Sequence, residues 1–294
     1  MNPRILEQVF SGIYAITKPA ADAYLPAVTA LINGNFNDDQ QQYSAERLKN
    51  KVRYIHQNAG VYQISEYGVY AAPEDAPDGS VAVVNINDVI MKHDMFCGPS
   101  GTKTKMDILQ RIDKTKNIQG AILVIDSPGG EGYAAKNLAS YIRDEFQKPI
   151  ISFVDDFAAS AAYYIAAATD QIIANSTMAQ VGSIGTYITL ADYTDFWKAQ
   201  GINVKNIYAT KSTDKNKPYK DAIEGDTKLL KEDIDRFNQD FLDTMASYRE
   251  DKLGEESIWG TGKLFYAEDA YKNGLIDAIA TWEDTVQSFV QQFN

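Results

Sequence analysis

The sequence predicts an α/β domain built around a mostly parallel β-sheet with helices packed on it. Two short runs of largely β-branched and apolar residues, 81–86 (VAVVNI) and 120–125 (GAILVI), have the composition of strands buried on both faces. Apolar and aromatic residues then recur at helical spacing through 133–147. Buried strands that alternate with helices of this length are typical of a parallel sheet covered by helices.

The same alternation continues toward the C-terminus. The longest helix is predicted over 227–250, where apolar residues recur every three or four positions. The other predicted elements are strands at 149–154, 171–174 and 275–279, an alanine-rich helix at 158–168, a helix ending at Gly274, and an amphipathic helix from about 282.

The N-terminal part has a different character. Residues 1–33 carry apolar positions at helical spacing, and the polar stretch 33–42 (NGNFNDDQQQ) resembles a linker. A second break at 71–80 (AAPEDAPDGS) contains two prolines and a glycine. We therefore expect a helical N-terminal extension over 1–70 and the main domain over 80–294.

Composition excludes several classes of function. Forty acidic residues against 28 basic ones give a net charge of −12, which disfavours binding to nucleic acid or to anionic lipid. A single cysteine, Cys97, permits no intrachain disulfide and no cysteine-based zinc site. The first thirty residues lack a signal-peptide pattern, and no apolar window reaches the length of a membrane span. The sequence thus predicts a cytoplasmic protein without a membrane anchor.

A glycine-containing turn follows the strand at 120–125. Asp126-Ser127-Pro128-Gly129-Gly130 lies between that strand and the next helix. Glycines here let backbone amides approach a ligand without a Cβ in the way, and unpaired amides at such a turn suit an oxyanion. Taken alone, the segment is equally compatible with an ordinary strand-to-helix turn.

A serine occupies the start of the alanine-rich helix. Ser160 lies in 158–164 (AASAAYY), where small neighbours leave room for a substrate backbone and the helix dipole favours a developing negative charge. Serine is also a common helix N-cap, so this segment by itself is not diagnostic.

A nucleophilic serine needs a base. His56 and His93 both precede the predicted core region, and His93 lies between Lys92 and Asp94 in a stretch typical of the surface. A lysine is the alternative, because a desolvated lysine becomes neutral and can accept a proton near pH 7.

Three motifs in order, DSPGG (126–130), AASAAYY (158–164) and VGSIG (181–185), resemble the signal peptide peptidase A (protease IV) family and its shorter phage prohead, or head-maturation, proteases. The resemblance extends over about 80–280 and includes AYKNGLIDAI (270–279). It implies a ClpP/crotonase-like fold and a serine endopeptidase that needs no metal or cofactor.

The resemblance also implies roles for individual residues. Ser160 matches the nucleophile, Gly129 and Gly130 match the oxyanion turn, and Ser183 matches a serine that orients the base. An extended polypeptide substrate, with small or apolar side chains at the cleaved bond, is expected along the strand edge near Ser127.

Lys211 is the position that best matches the catalytic lysine of the family. Lys215 and Lys220 remain alternatives, because the loop KSTDKNKPYK departs from the usual glycine-containing pattern. The family commonly has two glycines after the nucleophile, whereas this chain has Ala161 and Ala162, which points to a changed pocket shape next to the oxyanion and substrate site.

The resemblance further implies a ring-like homo-oligomer in which one subunit supplies its lysine to the serine of the next. Without an anchor, the expected setting is an assembling phage prohead, with scaffold or capsid proteins as substrates. Two alternatives stay open: a crotonase-type acyl-CoA enzyme, which would need basic residues for the CoA phosphates, and a non-catalytic assembly protein of the same fold.

Overall fold

A nine-stranded mixed sheet forms the centre of the described part of the chain. The structure is a computed structural model that describes residues 14–16, 52–58, 61–66, 72–94, 99–190 and 192–293. The strands are β1 (Tyr14–Ile16), β2 (Val52–Asn58), β3 (Val61–Ile64), β4 (Ser80–Asn87), β5 (Ile118–Ser127), β6 (Gly129–Glu131), β7 (Ile150–Ala159), β8 (Gln171–Ala174), β9 (Gln180–Gly182), β10 (Leu264–Tyr266) and β11 (Ala278–Ile279). The helices are α1 (Thr102–Lys114), α2 (Gly132–Asp144), α3 (Ala161–Ala167), α4 (Thr194–Ala199), α5 (Lys217–Ile223), α6 (Lys228–Arg249), α7 (Glu256–Trp259), α8 (Ala267–Lys272) and α9 (Trp282–Gln291).

Three parallel strands occupy the middle of the sheet. β5 pairs in parallel with β4 on one side and with β7 on the other. Parallel neighbours need long crossover connections, and α1 and α2 lie in the two connections. The antiparallel pair β2 and β3 extends one edge beyond β4, and β10 pairs antiparallel with β9 at the other edge.

β7 uses one of its edges for two partners. Its residues 151–154 pair with β8, whereas residues 157–159 pair with β9. β8 in turn pairs in parallel with β11 near the C-terminus. The carboxyl end of β7 therefore lies between β5 and β9.

Helices cover both faces of the sheet. In β4, Ala82 and Val84 belong to the apolar cluster that includes α2 and α3, whereas Val81 and Val83 belong to the cluster that includes α9. This division follows from the strand geometry, because successive side chains point to opposite faces. Burial on both faces explains why the central strands read as continuous apolar runs.

The predicted α/β class is confirmed: the described chain has a mostly parallel core of strands flanked by helices. The boundaries differ in one place that matters for function. The strand predicted at 149–154 continues to Ala159, so the alanine-rich helix begins at Ala161 and not at residue 158. Among the described helices, none is both long and apolar enough to cross a membrane.

The N-terminal extension also differs from the prediction. Residues 1–70 were expected to be helical, yet β1, β2 and β3 lie within this range. β2 pairs with β4 and so belongs to the main sheet, which begins well before residue 80. Hydrogen bonds to β4 stabilise β2 in the extended form, and the Val, Tyr and Ile residues of β2 also favour a strand. The predicted helical positions in 17–33 and the predicted linker at 33–42 lie outside the described residues.

Candidate active site

The three sequence motifs meet at the carboxyl ends of neighbouring strands. Ser127 of β5 is paired in register with Ala158 of β7, and Ala159 of β7 is paired with Gly182 of β9. Ser160 immediately follows β7. The DSPGG turn therefore lies on one side of Ser160 and the VGSIG segment lies on the other.

Ser160 has an unusual backbone conformation. Its φ of 55° and ψ of −116° fall in a region that residues with a Cβ rarely adopt. The Ser160 N–H donates to the Gly182 carbonyl at 2.7 Å, and its own carbonyl accepts from the Tyr164 N–H at 2.9 Å. Such a conformation costs about 1–3 kcal/mol and persists only where the surroundings enforce it. Strained residues of this kind cluster at active sites.

The Ser160 hydroxyl is not used to cap the helix that follows. Although Ser160 occupies the N-cap position of α3, its side chain makes no capping hydrogen bond. Its Oγ instead donates to the Gly185 carbonyl at 3.3 Å, and the residue is only 1% exposed. The alternative that Ser160 serves as an ordinary N-cap is thus not what the geometry shows.

α3 is held rigidly beneath the serine. Ala161 and Ala162 are completely buried. Tyr163 donates from its hydroxyl to the Leu275 carbonyl at 2.8 Å, and Tyr164 donates to Thr244 Oγ1 at 2.9 Å. Burial raises the pKa of both tyrosines well above the usual value. Both rings therefore remain neutral hydrogen-bond donors that fix the helix to its neighbours.

Ser127 stabilises the glycine turn from within. Its hydroxyl is fully buried, donates to the Asp88 carbonyl, and accepts from the Gly129 N–H at 3.2 Å. β5, which carries Ser127, already has a strand on each side. Ser127 therefore positions the turn, and because both edges of β5 are occupied, an extended substrate near Ser127 would need the edge of another strand.

The two glycines of the turn have different requirements. Gly129 has a φ of 101°, which a residue with a side chain adopts only with strain. At Gly130, a Cβ would lie 2.0 Å from the Ile90 carbonyl oxygen, so the backbones approach too closely for any other residue. Glycine is thus required at both positions for physical reasons.

The hydrogen bonds of β6 define which way its amides point. Ile90 donates its N–H to the Gly129 carbonyl at 2.9 Å, and Glu131 donates its N–H to the Ile90 carbonyl at 2.8 Å. Residues 129 and 131 thus face Ile90. Since polar backbone groups alternate in direction along a strand, the N–H and C=O of Gly130 face the opposite edge.

A cavity of about 670 Å³ adjoins the serine on the side of the VGSIG segment. Its walls include Ser183, Gly185, Thr186, Asn238 and Thr261. Gly185 is also the residue whose carbonyl accepts the Ser160 hydroxyl, so one residue of the cavity wall contacts the serine side chain. Ser183 has a φ of 52°, and its N–H donates to the Lys263 carbonyl at 2.7 Å.

The lysines proposed as base lie on the surface. Lys211, Lys215 and Lys220 are exposed, and Lys220 forms an ion pair with Glu224 at 4.0 Å. Within the described part of a single chain, no lysine donates a hydrogen bond to Ser160 Oγ. The structure therefore brings Ser160, the glycine turn and Ser183 together, but it does not join any of the three lysines to them.

The segment before Lys211 lies on the surface of the described chain. Every residue from 192 to 211 is exposed, although several are large and apolar. These are Tyr193, Phe196, Trp197, Ile202, Val204, Ile207 and Tyr208. A stretch of this composition is normally covered by another surface.

Acidic side chains cluster around Asp126, the first residue of the glycine turn. Burial raises the pKa of Asp126, and the negative charges of Asp156, Asp155 and Asp88 raise it further. These like charges make the surroundings of Asp126 electrostatically negative, which favours the binding of cations over anions there.

Sequence comparison assigns the family. The sequence signature of peptidase family S49 matches residues 143–294, just over half of the chain. The chain belongs to peptidase family S49. The matched range contains Ser160, Ser183 and all three candidate lysines, whereas the glycine turn lies before it.

Three relatives illustrate the range of S49-like proteins. A protein of Methanocaldococcus jannaschii named as a protease is 32% identical over 190 residues, which cover 64% of this chain and 61% of the relative. Protease 4 of Haemophilus influenzae is 25% identical, with 73% of this chain and 35% of the relative covered. The head-tail preconnector protein of Enterobacteria phage P21 is 26% identical, with 68% and 40% covered. The chain thus spans less than two thirds of the length of each of these relatives.

The sequence did not indicate every participant in this S49 site. The Gly182 and Gly185 carbonyls accept hydrogen bonds from Ser160. Both belong to the VGSIG motif, in which the sequence indicated a role for Ser183 alone. Ile90, which fixes the turn through two backbone hydrogen bonds, lies in no recognisable motif. Backbone partners of this kind leave little trace in side-chain identity.

Proposed function

We propose that this S49 protein is a serine endopeptidase with Ser160 as its nucleophile. The observation that carries the proposal is the geometry of Ser160: a strained residue between a strand and a helix, with a buried hydroxyl that does not cap the helix. A strained turn of this type presents the serine Oγ to a substrate. The glycine turn beside it supplies main-chain amides.

Peptide hydrolysis would take place in two stages. A neutral lysine accepts the proton of Ser160 Oγ as the oxygen attacks the substrate carbonyl, and it returns that proton to the leaving amine. The acyl-enzyme is then attacked by water, whose proton passes to the same lysine and from it to Ser160 Oγ. Protons balance over the cycle, and the net change is hydrolysis of one peptide bond.

The oxyanion is assigned to the amides of Gly129 and Ala161. Ala161 is the first residue of α3, where backbone N–H groups have no partner within the helix. The Gly129 amide donates to Ser127 Oγ across a rather long 3.2 Å, a bond that a developing oxyanion can outcompete because it is charged. Each such donor contributes about 3 kcal/mol to transition-state stabilisation.

Lys211 of a second copy is proposed as the base. The exposed apolar segment 192–211 leads directly into Lys211, and a second copy of the chain is a partner that could cover this segment. A base at neutral pH must be an uncharged amine, and desolvation in such an interface favours the uncharged form. Lys215 and Lys220 lie in the same loop region and are the alternatives.

The acyl-CoA alternative finds little support at the site. CoA carries phosphates that need cationic side chains, but among the residues that line the cavity the charged one is Asp235. The negative charges around Asp126 would also repel the CoA phosphates. These charges favour a polypeptide substrate over a CoA ester.

The test is labelling with a fluorophosphonate probe combined with cleavage of a casein substrate. We expect the wild type to be labelled at Ser160 and to cleave, and Ser160→Ala to lose both, with a fall in rate of about 10⁴-fold or more. Ser176→Ala is the matched control, since Ser176 Oγ accepts from the Met178 N–H in a loop after β8 and should keep full activity. A wild type that is neither labelled nor active would support a non-catalytic assembly protein instead.

A role in phage head maturation is proposed from the resemblance to the phage P21 head-tail preconnector protein. If this is correct, the substrates are scaffold or capsid proteins encoded near this chain. Co-expression with those proteins should give fragments that are absent with Ser160→Ala. Intact scaffold and capsid proteins beside an enzyme that still cleaves casein would refute the phage role alone.

A further inference from the structure

The short strand β1 lies along the edge of the glycine turn. β1 pairs antiparallel with β6, so that Ala15 is opposite Gly130 and Ile16 is opposite Gly129. β6 begins at Gly129, inside the turn assigned to the oxyanion. A segment from the beginning of the chain is thus placed beside the amides that the catalytic turn presents.

The hydrogen-bond pattern identifies Ala15 as the residue that holds β1 in place. Gly129 and Glu131 direct their bonded groups to Ile90, so the N–H and C=O of Gly130 face β1. In an antiparallel pair, opposite residues of this type exchange two main-chain hydrogen bonds. Ala15 therefore donates its N–H to the Gly130 carbonyl and accepts the Gly130 N–H.

The edge that β1 occupies is the edge a substrate needs. A peptide attacked by Ser160 must lie extended beside the turn, and pairing with an exposed strand edge is a common way to hold it. Ile90 occupies one edge of β6, which leaves the edge now paired with β1. β1 also lies against α3, the helix that begins next to Ser160.

The direction of β1 is that of a substrate. The acyl part of a substrate precedes the cleaved bond, so it must run toward the oxyanion turn from its N-terminal side. The antiparallel register makes β1 run from opposite Glu131 to opposite Gly129, with its C-terminal end at the turn. β1 therefore has both the position and the chain direction expected of a bound substrate strand.

We infer that the edge of β6 is the binding site for the substrate main chain and that Tyr14–Ile16 is an intramolecular ligand of this site. A polypeptide substrate must displace β1 before Ser160 can reach its carbonyl. This inference rests on the proposed function, because it assigns the substrate edge of that same site. A tethered strand competes at a high effective concentration even though its three residues bind weakly.

The test compares Ala15→Pro with Ala15→Val in the full-length chain. Proline removes the N–H that donates to Gly130, whereas valine keeps this N–H and favours strands. Hydrogen exchange is measured first in a Ser160→Ala background, where catalysis plays no part. We expect the Gly130 amide to exchange about tenfold faster in Ala15→Pro than in Ala15→Val, because pairing with β1 protects it. The Gly129 and Glu131 amides, bonded to Ser127 and Ile90, should change little.

The second measurement uses active Ser160. Fluorophosphonate labelling and casein cleavage at low substrate concentration should both be about tenfold faster in Ala15→Pro, with the maximal rate unchanged. Equal exchange in the two variants, or equal labelling rates, would overturn the inference and leave the peptidase proposal intact. Absence of labelling in both variants would instead reject the peptidase, and the exchange result would then report on β1 pairing alone.

Discussion

At the scale of single residues, Gly130 has the strictest steric requirement at the site. Substitution by alanine places a Cβ 2.0 Å from the Ile90 carbonyl oxygen, and backbone cannot move aside as cheaply as a side chain. We expect Gly130→Ala to lower the free energy of unfolding by about 2–3 kcal/mol. Peptidase activity should fall as well, because the turn geometry is lost. The fall should exceed what the smaller folded fraction of the protein explains.

Gly254→Ala is the matched control for this prediction. A Cβ at Gly254 would meet its nearest atom, Asn273 Oδ1, at an ordinary 3.6 Å. Its free energy of unfolding should stay within about 0.5 kcal/mol of the wild type. Urea unfolding and casein cleavage measure both variants, and equal stabilities for the two would contradict the steric argument.

At the same scale, the sequence predicted which side chains form the site better than it predicted how they are held. Ser160, Gly129, Gly130 and Ser183 carry recognisable motifs and lie around one point in space. The strained backbone of Ser160 could not be predicted, because the hydrogen bond from its N–H goes to the Gly182 carbonyl of a different strand. Long-range main-chain contacts have no local sequence signal.

At the scale of secondary-structure elements, a buried ion pair joins the end of α6 to the loop before β11. Arg249 is 2% exposed and donates to both oxygens of Asp277, at 2.8 and 3.1 Å. Asp277 also accepts from Lys252 and from the Ile172 N–H of β8, each at 2.8 Å. Burial raises the pKa of Asp277, but hydrogen bonds from Arg249 and Lys252 outweigh burial and hold that pKa below its usual value.

We expect Asp277→Asn to lower the free energy of unfolding by about 3 kcal/mol at pH 7, because it leaves the Arg249 charge buried and unpaired. Since the folded-state pKa is depressed, the carboxylate stabilises the fold fully above the unfolded pKa of about 4 and progressively less below it. The difference between variant and wild type should therefore shrink as the pH falls below about 4.

Asp269→Asn provides the control, since Asp269 pairs with Lys272 at 3.3 Å on an exposed helix. Its effect should stay under about 1 kcal/mol at every pH. Urea unfolding at several pH values distinguishes the two sites. A pH-independent loss in Asp277→Asn would contradict the assigned role of the carboxylate.

Elements with strong local patterns were predicted well, and those that depend on distant partners were not. The central strands and α6 follow their apolar patterns closely. The strand predicted at 149–154 continues to Ala159, because Ala158 and Ala159 pair with β5 and β9. β2 likewise depends on β4 as a partner.

At the scale of the whole molecule, no lysine among the described residues is hydrogen-bonded to Ser160 Oγ, and the proposed site is completed by a neighbouring copy of the chain. Co-expression of Ser160→Ala with Lys211→Ala, under two affinity tags, gives mixed assemblies. In a ring, about one quarter of the sites should combine an intact serine with an intact lysine, so that fraction of activity returns. Each variant alone should be inactive.

The outcome separates the two possible origins of the base. A lysine supplied within the same chain gives no recovery in any mixture, which would rule out the shared site. Lys215→Ala, expected to be active on its own, is the control for the loop. If Lys215→Ala is inactive and complements Ser160→Ala, the base is Lys215 and the shared site stands.

The divided edge of β7 has a consequence for how the molecule tolerates change. The first half of this strand bonds to β8, which is tied to β11 and Asp277, whereas the second half bonds to β9, which holds Ser160 through Gly182. Contacts with β8 thus stabilise the fold, whereas contacts with β9 position the nucleophile Ser160. Substitutions in β8 or β11 should therefore lower stability more than they shift Ser160, and substitutions in β9 should do the reverse.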